Sequence, residues 1–296
     1  MVVIKPVHNK SPVLLEYFAM PEKAAEHNEK EHERFRFGKN WQQFSRHITE
    51  ERITEAEFSL QNMLGGGNLE GKSLLDIGSG SGLFSLAAAR LGAQVTSFDY
   101  DHDSVACTAA LQQQYFPDAK NWTVQQGSIL DAAFIKTLGE FDIVYSWGVL
   151  HHTGSMWQAL ENTCHAVKQN GQLFIALYND QGIRSKTWKA VKQLYCSSKA
   201  GRAAVVVTCI PALSAAAAVL DITRGLSPLK RYRDYKQKNR GMTVYYDWID
   251  WLGGYPFEVA KPEQIIAFYK ERGLTLQTLK TTKGWGNNEF VFVMTG

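Results

Sequence analysis

From residue 73 to residue 177, short apolar runs alternate with amphipathic stretches of helical length. Ser73–Ile77 reads as a buried strand, 82–91 as a helix ended by Gly92, and 93–99 (AQVTSFD) as a second strand. A helix over 103–115 is stopped by Pro117, and strands follow at 122–128 and 141–146. A helix over 156–167 is closed by KQNG at 168–171, and 172–177 (QLFIAL) is a fifth strand. Strands that are apolar throughout, at this spacing, predict a parallel sheet covered on both faces. The last two strands, 274–280 and 289–295, are joined by TTKGWGNN, a connection too short for a parallel crossover, so they form an antiparallel hairpin.

The flanks read differently. Residues 21–37 are charged and helical, a solvated face. A second helix covers 41–64, where Ile53, Ala56, Leu60, Met63 and Leu64 share one face, and GGG at 65–67 ends it. Residues 178–260 break the alternation. Within them Ala203–Leu220 carries no charge and approaches the length of a membrane span. Pro211 in its middle and its many alanines favour a buried helix pair over a spanning helix or a lid touching a membrane. The expected organisation is a helical cap (1–69), a core (70–178), an inserted lid (179–260), and a helix and hairpin (261–296) that complete the core. The fold class is α/β: a doubly wound, mostly parallel seven-stranded sheet.

Composition changes this picture little. The 296 residues are 45% hydrophobic and 21% charged, with a formal net charge of +3. That balance implies neither nucleic acid nor an anionic membrane by itself. Cys107, Cys164, Cys196 and Cys209 show no CxxC spacing and read as reduced thiols of a cytoplasmic protein. Pro6 and Pro12 interrupt the N-terminal stretch, which lacks the apolar core of a signal peptide. His27 and His32 lie outside any metal-binding spacing, so no metal is expected.

The chemistry is concentrated in LLDIGSGSG, residues 74–82. A dinucleotide loop needs G-x-G-x-x-G. Gly78 and Gly80 fit, but position 83 is Leu and the third glycine, Gly82, comes one residue early. Asp76 sits where a pyrophosphate would be repelled, and suits a cationic ligand without phosphate.

These residues resemble the first motif of class I S-adenosylmethionine-dependent methyltransferases, an acidic residue followed by GxGxG. The later motifs follow in order. The resemblance implies that Asp99 holds the ribose hydroxyls, that Tyr100 packs on the adenine, and that QGSIL at 126–130, with Ser128 and Ile129, lines the adenine edge. Ser128 stands where the family often has aspartate, which weakens that contact. FDIVYSWGVLHH at 141–152 matches the fourth motif, with Trp147 under the methionine portion. S-adenosylmethionine is the expected cofactor and S-adenosylhomocysteine its product.

His151 and His152, at the carboxyl end of the fourth strand, are the candidate bases; one faces the cavity and the other supports the loop. In relatives that resemble quinone-biosynthesis methyltransferases, such a pair either acts or only shapes the loop. The aromatic cluster in 243–258, with Tyr245, Tyr246, Trp248, Trp251 and Tyr255, reads either as a roof for a ring or sugar or as the core of the lid, and Trp41 is a second candidate roof residue. NNE at 287–289 reaches the same rim.

The basic stretch 224–241 reads as a solvated face; a platform for a phosphorylated or nucleic-acid substrate, or a lid beside an acidic membrane, are its alternatives. The overall reading is an O-directed methyltransferase of a small or medium-sized acceptor, similar to the quinol and natural-product group. Nucleic acid is not the expected partner, and peripheral membrane contact stays open. The alternatives are an enzyme acting on tRNA or protein, and a non-catalytic S-adenosylmethionine-binding protein. The acceptor and the oligomeric state are not legible.

Overall fold

The computed structural model describes residues 35, 37–45, 48–118, 120–229, 244–282 and 286–296. The charged stretch 21–34, most of the basic stretch 224–241 and the side chains of Tyr245 and Tyr246 lie outside the described residues.

Seven strands form one sheet: β1 (Ser73–Ile77), β2 (Gln94–Asp99), β3 (Trp122–Gln126), β4 (Phe141–Trp147), β5 (Val167–Tyr178), β6 (Leu274–Lys280) and β7 (Asn287–Met294). Their order is β3-β2-β1-β4-β5-β7-β6. The first five are parallel, and β7 lies antiparallel between β5 and β6. The order reverses direction between β1 and β4. In open α/β sheets a crevice opens at the strand ends beside such a reversal, and ligands bind there.

Side chains that alternate along the strands feed two cores. On one face Leu75, Ile77, Val144 and Ile175 pack with α5 (Ala132–Leu138), α6 (Met156–Cys164) and α10 (Pro262–Lys270). On the other, Leu74, Val95, Ile143 and Phe174 pack with α2 (Glu50–Leu64), α3 (Leu83–Arg90) and α4 (His102–Tyr115). The lid has its own small core, where Tyr195 of α7 (Ile183–Ser197), Val205 of α8 (Lys199–Thr223) and Leu252 of α9 (Val244–Gly253) meet. Its two ends are pinned together. Ala260 N donates to Tyr178 O, Asp180 N donates to Ala260 O, and Asn179 bridges Ala260.

Several expectations need correction. The helix expected over 41–64 is two helices, α1 (Gly38–Ser45) and α2. Thr49 is extended and starts α2, with Glu50 and Glu51 in the first turn where the helix dipole favours them. Helix α5 was not expected; at seven residues it is too short to show a period, and is set by Asp131 capping Phe134 N. Helix α6 ends at Cys164, not Val167, and KQNG lies inside β5. There Val167 pairs with Phe141 and Gln172 with Ile143, so the strand carries a bulge, with Asn170 at φ 64°. Strand β3 ends at Gln126 rather than 128.

The largest correction concerns Ala203–Leu220. It is not a buried helix pair but part of one 25-residue helix, α8, that continues through Pro211. Among its residues only Gly201, Val205 and Asp221 are buried.

Candidate functional site

The carboxyl ends of β1, β2 and β4 open into one cavity of about 940 Å³. It holds Asp76, Gly78, Gly80, Asp99, Tyr100, Ser128, Ile129 and Trp147 at one side, and Trp251, Tyr255 and His152 at the other; Trp41, expected as a roof over the acceptor, lies instead against the glycine loop, its ring 3.1 Å from where a Gly80 β-carbon would stand. Gly82 and His151, both expected on the site, are not on the cavity wall.

The glycine loop is shaped by its neighbours. Gly78 N and Ser79 N both donate to Phe98 O, at 2.8 and 3.1 Å, which folds the loop over β2. Gly78 has φ 77°, and a β-carbon there would stand 2.5 Å from the Val149 methyls. Gly82 is a packing residue instead. It opens α3 at φ 80°, and a β-carbon would meet the Thr108 Cα of α4 at 2.9 Å. Gly82→Ala therefore combines left-handed strain with a backbone clash. It is expected to cost about 2 kcal/mol or more in urea unfolding, and no loss of stability would contradict this packing role.

Two carboxylates face the cavity, Asp76 from a buried and Asp99 from a half-buried position. Asp76 accepts a 2.5 Å hydrogen bond from Ser85 Oγ. Behind it runs a chain of donors: Trp122 Nε1 donates to Ser97 Oγ (2.9 Å), and the Ser97 and Ser85 hydroxyls lie 2.7 Å apart. Because Ser85 gives its proton to Asp76, Ser97 donates to Ser85. Asp99 accepts from Gly80 N and Asp101 N, both at 2.9 Å. Burial pushes Asp76 up to about 7, against the bond from Ser85, and Asp99 adds to the rise. Burial likewise pushes Asp99 up to about 6, against its backbone donors. Among the described residues neither forms an ion pair. Two acids shielded from water, with no ion pair among the described residues, suit a cationic, donor-rich ligand.

At the same end, Tyr100 is half exposed, and Ser128 Oγ accepts from Leu130 N at 3.2 Å. The Ser128 hydroxyl is thus engaged within its own loop. Asp101 accepts from Gly38 N (3.0 Å) and caps α4 through Asp103 N, which ties α1 to this end of the cavity.

The histidines separate. Both sit on a single 3-10 turn, Leu150–His152, after β4. His151 is fully buried behind the wall; its Nδ1 accepts from Tyr178 N at 3.4 Å, and its Nε2 has no hydrogen-bond partner among the described residues. Burial and then His152 hold it well below the usual histidine value. His152 faces the cavity, with Phe37 against its ring at 5.0 Å. Its Nδ1 lies 2.6 Å from the carbonyl of Pro256. A carbonyl only accepts, so Nδ1 carries the proton and Nε2 is left with a free lone pair. Burial pushes His152 down to about 3, against the bond to Pro256, and Lys192 lowers it further.

The lid supplies the rest of this end. Lys192 Nζ, itself buried, donates to Trp251 O and sits 5.1 Å from the ring centres of both Trp251 and Phe257. Phe35 N donates to Tyr255 O at 3.0 Å. Trp248 is half-buried and off the cavity wall. Asn287, in the rim segment expected from the sequence, does line the cavity, and its Oδ1 has no partner among the described residues. Trp147 Nε1 is held by Glu289 at 3.1 Å. Phe37, Arg52, Tyr145 and Tyr178 also line the cavity and were not anticipated. Arg52 alone had a signal, as a cation beside the apolar face of α2. Among the described residues no cluster of His, Cys, Asp or Glu is gathered that would ligate a metal.

A family model described as a methyltransferase domain matches residues 47–214. The ubiquinone biosynthesis O-methyltransferase of Caulobacter vibrioides is 32% identical over 116 residues, 37% of this chain and 42% of that protein. The enzyme of the same name from Escherichia coli (strain K12 / DH10B) is 30% identical over 124 residues, 41% of this chain and 48% of that one. The matches thus span less than half the length of these curated relatives. Among solved structures, PKMT2 from Rickettsia typhi in complex with AdoHcy aligns with a TM-score of 0.51 at 13% identity, over 83% of this chain and 53% of that one. That likeness is one of fold.

Proposed function

The chain belongs to the methyltransferase-domain family, and from that premise we propose that it transfers a methyl group from S-adenosylmethionine to an oxygen of a small or medium-sized acceptor, leaving S-adenosylhomocysteine. One observation carries the reading: a single cavity joins two carboxylates, without an ion pair among the described residues, to an aromatic chamber with a histidine lone pair. Its volume is at the upper end for small-molecule sites, enough for a nucleoside and a second compound.

The residues fit the donor. Asp99 retains lone pairs beyond its two backbone bonds and suits a vicinal diol. Asp76, strained as an anion by burial, suits a positive charge. Bound there, S-adenosylmethionine supplies a methyl on a sulfonium, electrophilic without further activation. The protein's part is to orient the acceptor, exclude water and hold a proton. Orientation alone is worth about 7–11 kcal/mol. Trp251, Tyr255 and Phe37 wall the acceptor end, which supports a ring-bearing acceptor over a polymer. His152 Nε2 is the acceptor atom for a hydroxyl proton. His151 props the turn from behind. The O-methyltransferase names of the curated relatives support the choice of oxygen.

The test is methyl transfer from labelled S-adenosylmethionine to a panel of phenols, catechols and sugars. Tight S-adenosylhomocysteine binding without turnover on any of them would instead favour a non-catalytic binding protein. Salt-sensitive methylation of RNA would move the reading to a macromolecular substrate.

Cofactor binding is expected to weaken in acid. A cationic ligand selects the ionised carboxylates, whereas protons neutralise them. Asp76 titrates near 7 and Asp99 near 6 rather than near 3.8. Calorimetric affinity for S-adenosylmethionine should therefore fall from pH 8 to pH 5, by about tenfold per pH unit for each proton displaced. A flat profile over that range would remove the carboxylates from the ligand contact.

A further inference from the structure

Helix α8 is long and apolar enough to cross a bilayer, yet only 6% of its apolar window is buried. A core helix of that length and apolarity would be mostly buried, and a leader would lie near the N-terminus; α8 is neither. Ala204, Val207, Pro211, Ala215, Val219 and Ile222 recur at helical spacing on its outer side and are all exposed. Val207, Val219 and Ile222 are 71%, 61% and 65% exposed, so the stripe is contiguous apolar surface.

Exposed charge along the α7–α8 hairpin has one sign. Between Asp180 and Asp221 the sequence contains no acidic residue, and Asp221 is buried. The α7–α8 hairpin exposes Arg184, Lys186, Lys189, Lys199 and Arg202. Within the hairpin, an apolar stripe beside exposed cations and no exposed acid complements a phospholipid surface with anionic headgroups. A second copy of the chain would bring the same cations against each other.

The packing decides between lying on a bilayer and crossing it. The inner side of α8 packs on the rest of the lid from Gly201 and Val205 through Cys209, Ile210 and Leu213, and Asp221 is buried near its far end. Helix α9 then packs on both α7 and α8. Crossing would strip this face from its support, whereas sinking sideways into the interface leaves it intact. We propose that the α7–α8 hairpin docks the enzyme on anionic phospholipid membranes, with the outer stripe of α8 immersed in the interface parallel to the surface. Trp251 of α9 belongs both to the lid core and to the cavity wall, so docking brings the acceptor end to the lipid.

The experiment is co-sedimentation of the full chain with phosphatidylcholine vesicles, with and without phosphatidylglycerol, at low and high salt. Pelleting that requires phosphatidylglycerol, weakens with salt and reverses in an alkaline wash is expected. The combined variant Val207→Glu, Val219→Glu, Ile222→Glu should lose at least about tenfold in vesicle affinity, and Lys186→Glu with Lys189→Glu should lose binding mainly at low salt. Unchanged S-adenosylhomocysteine affinity in both variants shows that the fold survives. Absence of pelleting overturns the proposal. So does equal binding to neutral vesicles, or resistance to the alkaline wash, which would indicate a spanning helix. A dimer in light scattering that the glutamates dissociate, with no vesicle binding, would assign the stripe to a second copy.

Discussion

Asp99→Ala is expected to weaken S-adenosylmethionine binding at least about a hundredfold, by isothermal calorimetry at pH 8. A hydrogen bond to a charged group contributes about 1.5–3 kcal/mol, and two hydroxyls on one carboxylate make two of them. The substitution also frees Gly80 N and Asp101 N, the donors that hold the glycine loop and the start of α4 against this side chain. Both losses act on the same ligand. Asp99→Asn distinguishes them. An amide offers one acceptor oxygen, so one of the two backbone N–H groups must face an NH₂ group. Asparagine should thus bind worse than aspartate but better than alanine. Unchanged affinity in Asp99→Ala would remove the ribose contact and with it the assignment of this end of the cavity to a nucleoside.

What the sequence revealed of the fold depended on how local the signal was. Strands buried on both faces read as apolar runs, and Leu74, Leu75, Val144 and Ile175 are indeed among the most buried residues. The terminal hairpin was legible from connection length alone. The bulge at 168–171 was not. A glycine after three polar residues reads as a helix stop, and only the pairing of Val167 with Phe141 recruits them into β5. Helix α8 shows the limit of hydropathy. Composition says that a helix avoids water, not what covers it, and Pro211 bends the odds against a long helix without forbidding one.

The site divides in the same way. Asp76, Gly78, Gly80 and Asp99 belong to motifs whose members are near in sequence, and all reach the cavity. Gly82 shares the motif but serves the contact of α3 with α4, a distinction invisible without Thr108 opposite it. Phe37 and Tyr178 line the chamber from distant segments, and no local pattern announces them. The two histidines were indistinguishable as neighbours. They are separated by Pro256, whose carbonyl, more than a hundred positions away, fixes the tautomer of His152 alone.

His152→Ala is expected to lower kcat about a hundredfold, with KM and S-adenosylmethionine affinity changed only a few fold. General bases contribute about 10²–10⁴. The lower end applies here because burial holds the imidazole near 3, so proton transfer to it is uphill. The low value has a second consequence. The ring stays neutral from pH 5 to pH 8, and His152 puts no acid limb on kcat in that range; an acid limb in kcat/KM belongs to Asp76 and Asp99. A base and a mere wedge differ at high pH. Without the base, the rate must follow ionisation of the acceptor itself. For a phenol, the variant's kcat should climb about tenfold per pH unit toward 10, while the native rate stays level. More acidic phenols should narrow the gap between the two. His152→Gln keeps an acceptor but not a base, and should recover geometry without recovering the native pH profile. His151→Ala should lower stability more than kcat, because His151 is buried behind the turn and off the cavity wall. If instead the His152→Ala rate stays level with pH and less than tenfold below native, the ring only positions the turn, and proton removal needs no protein base.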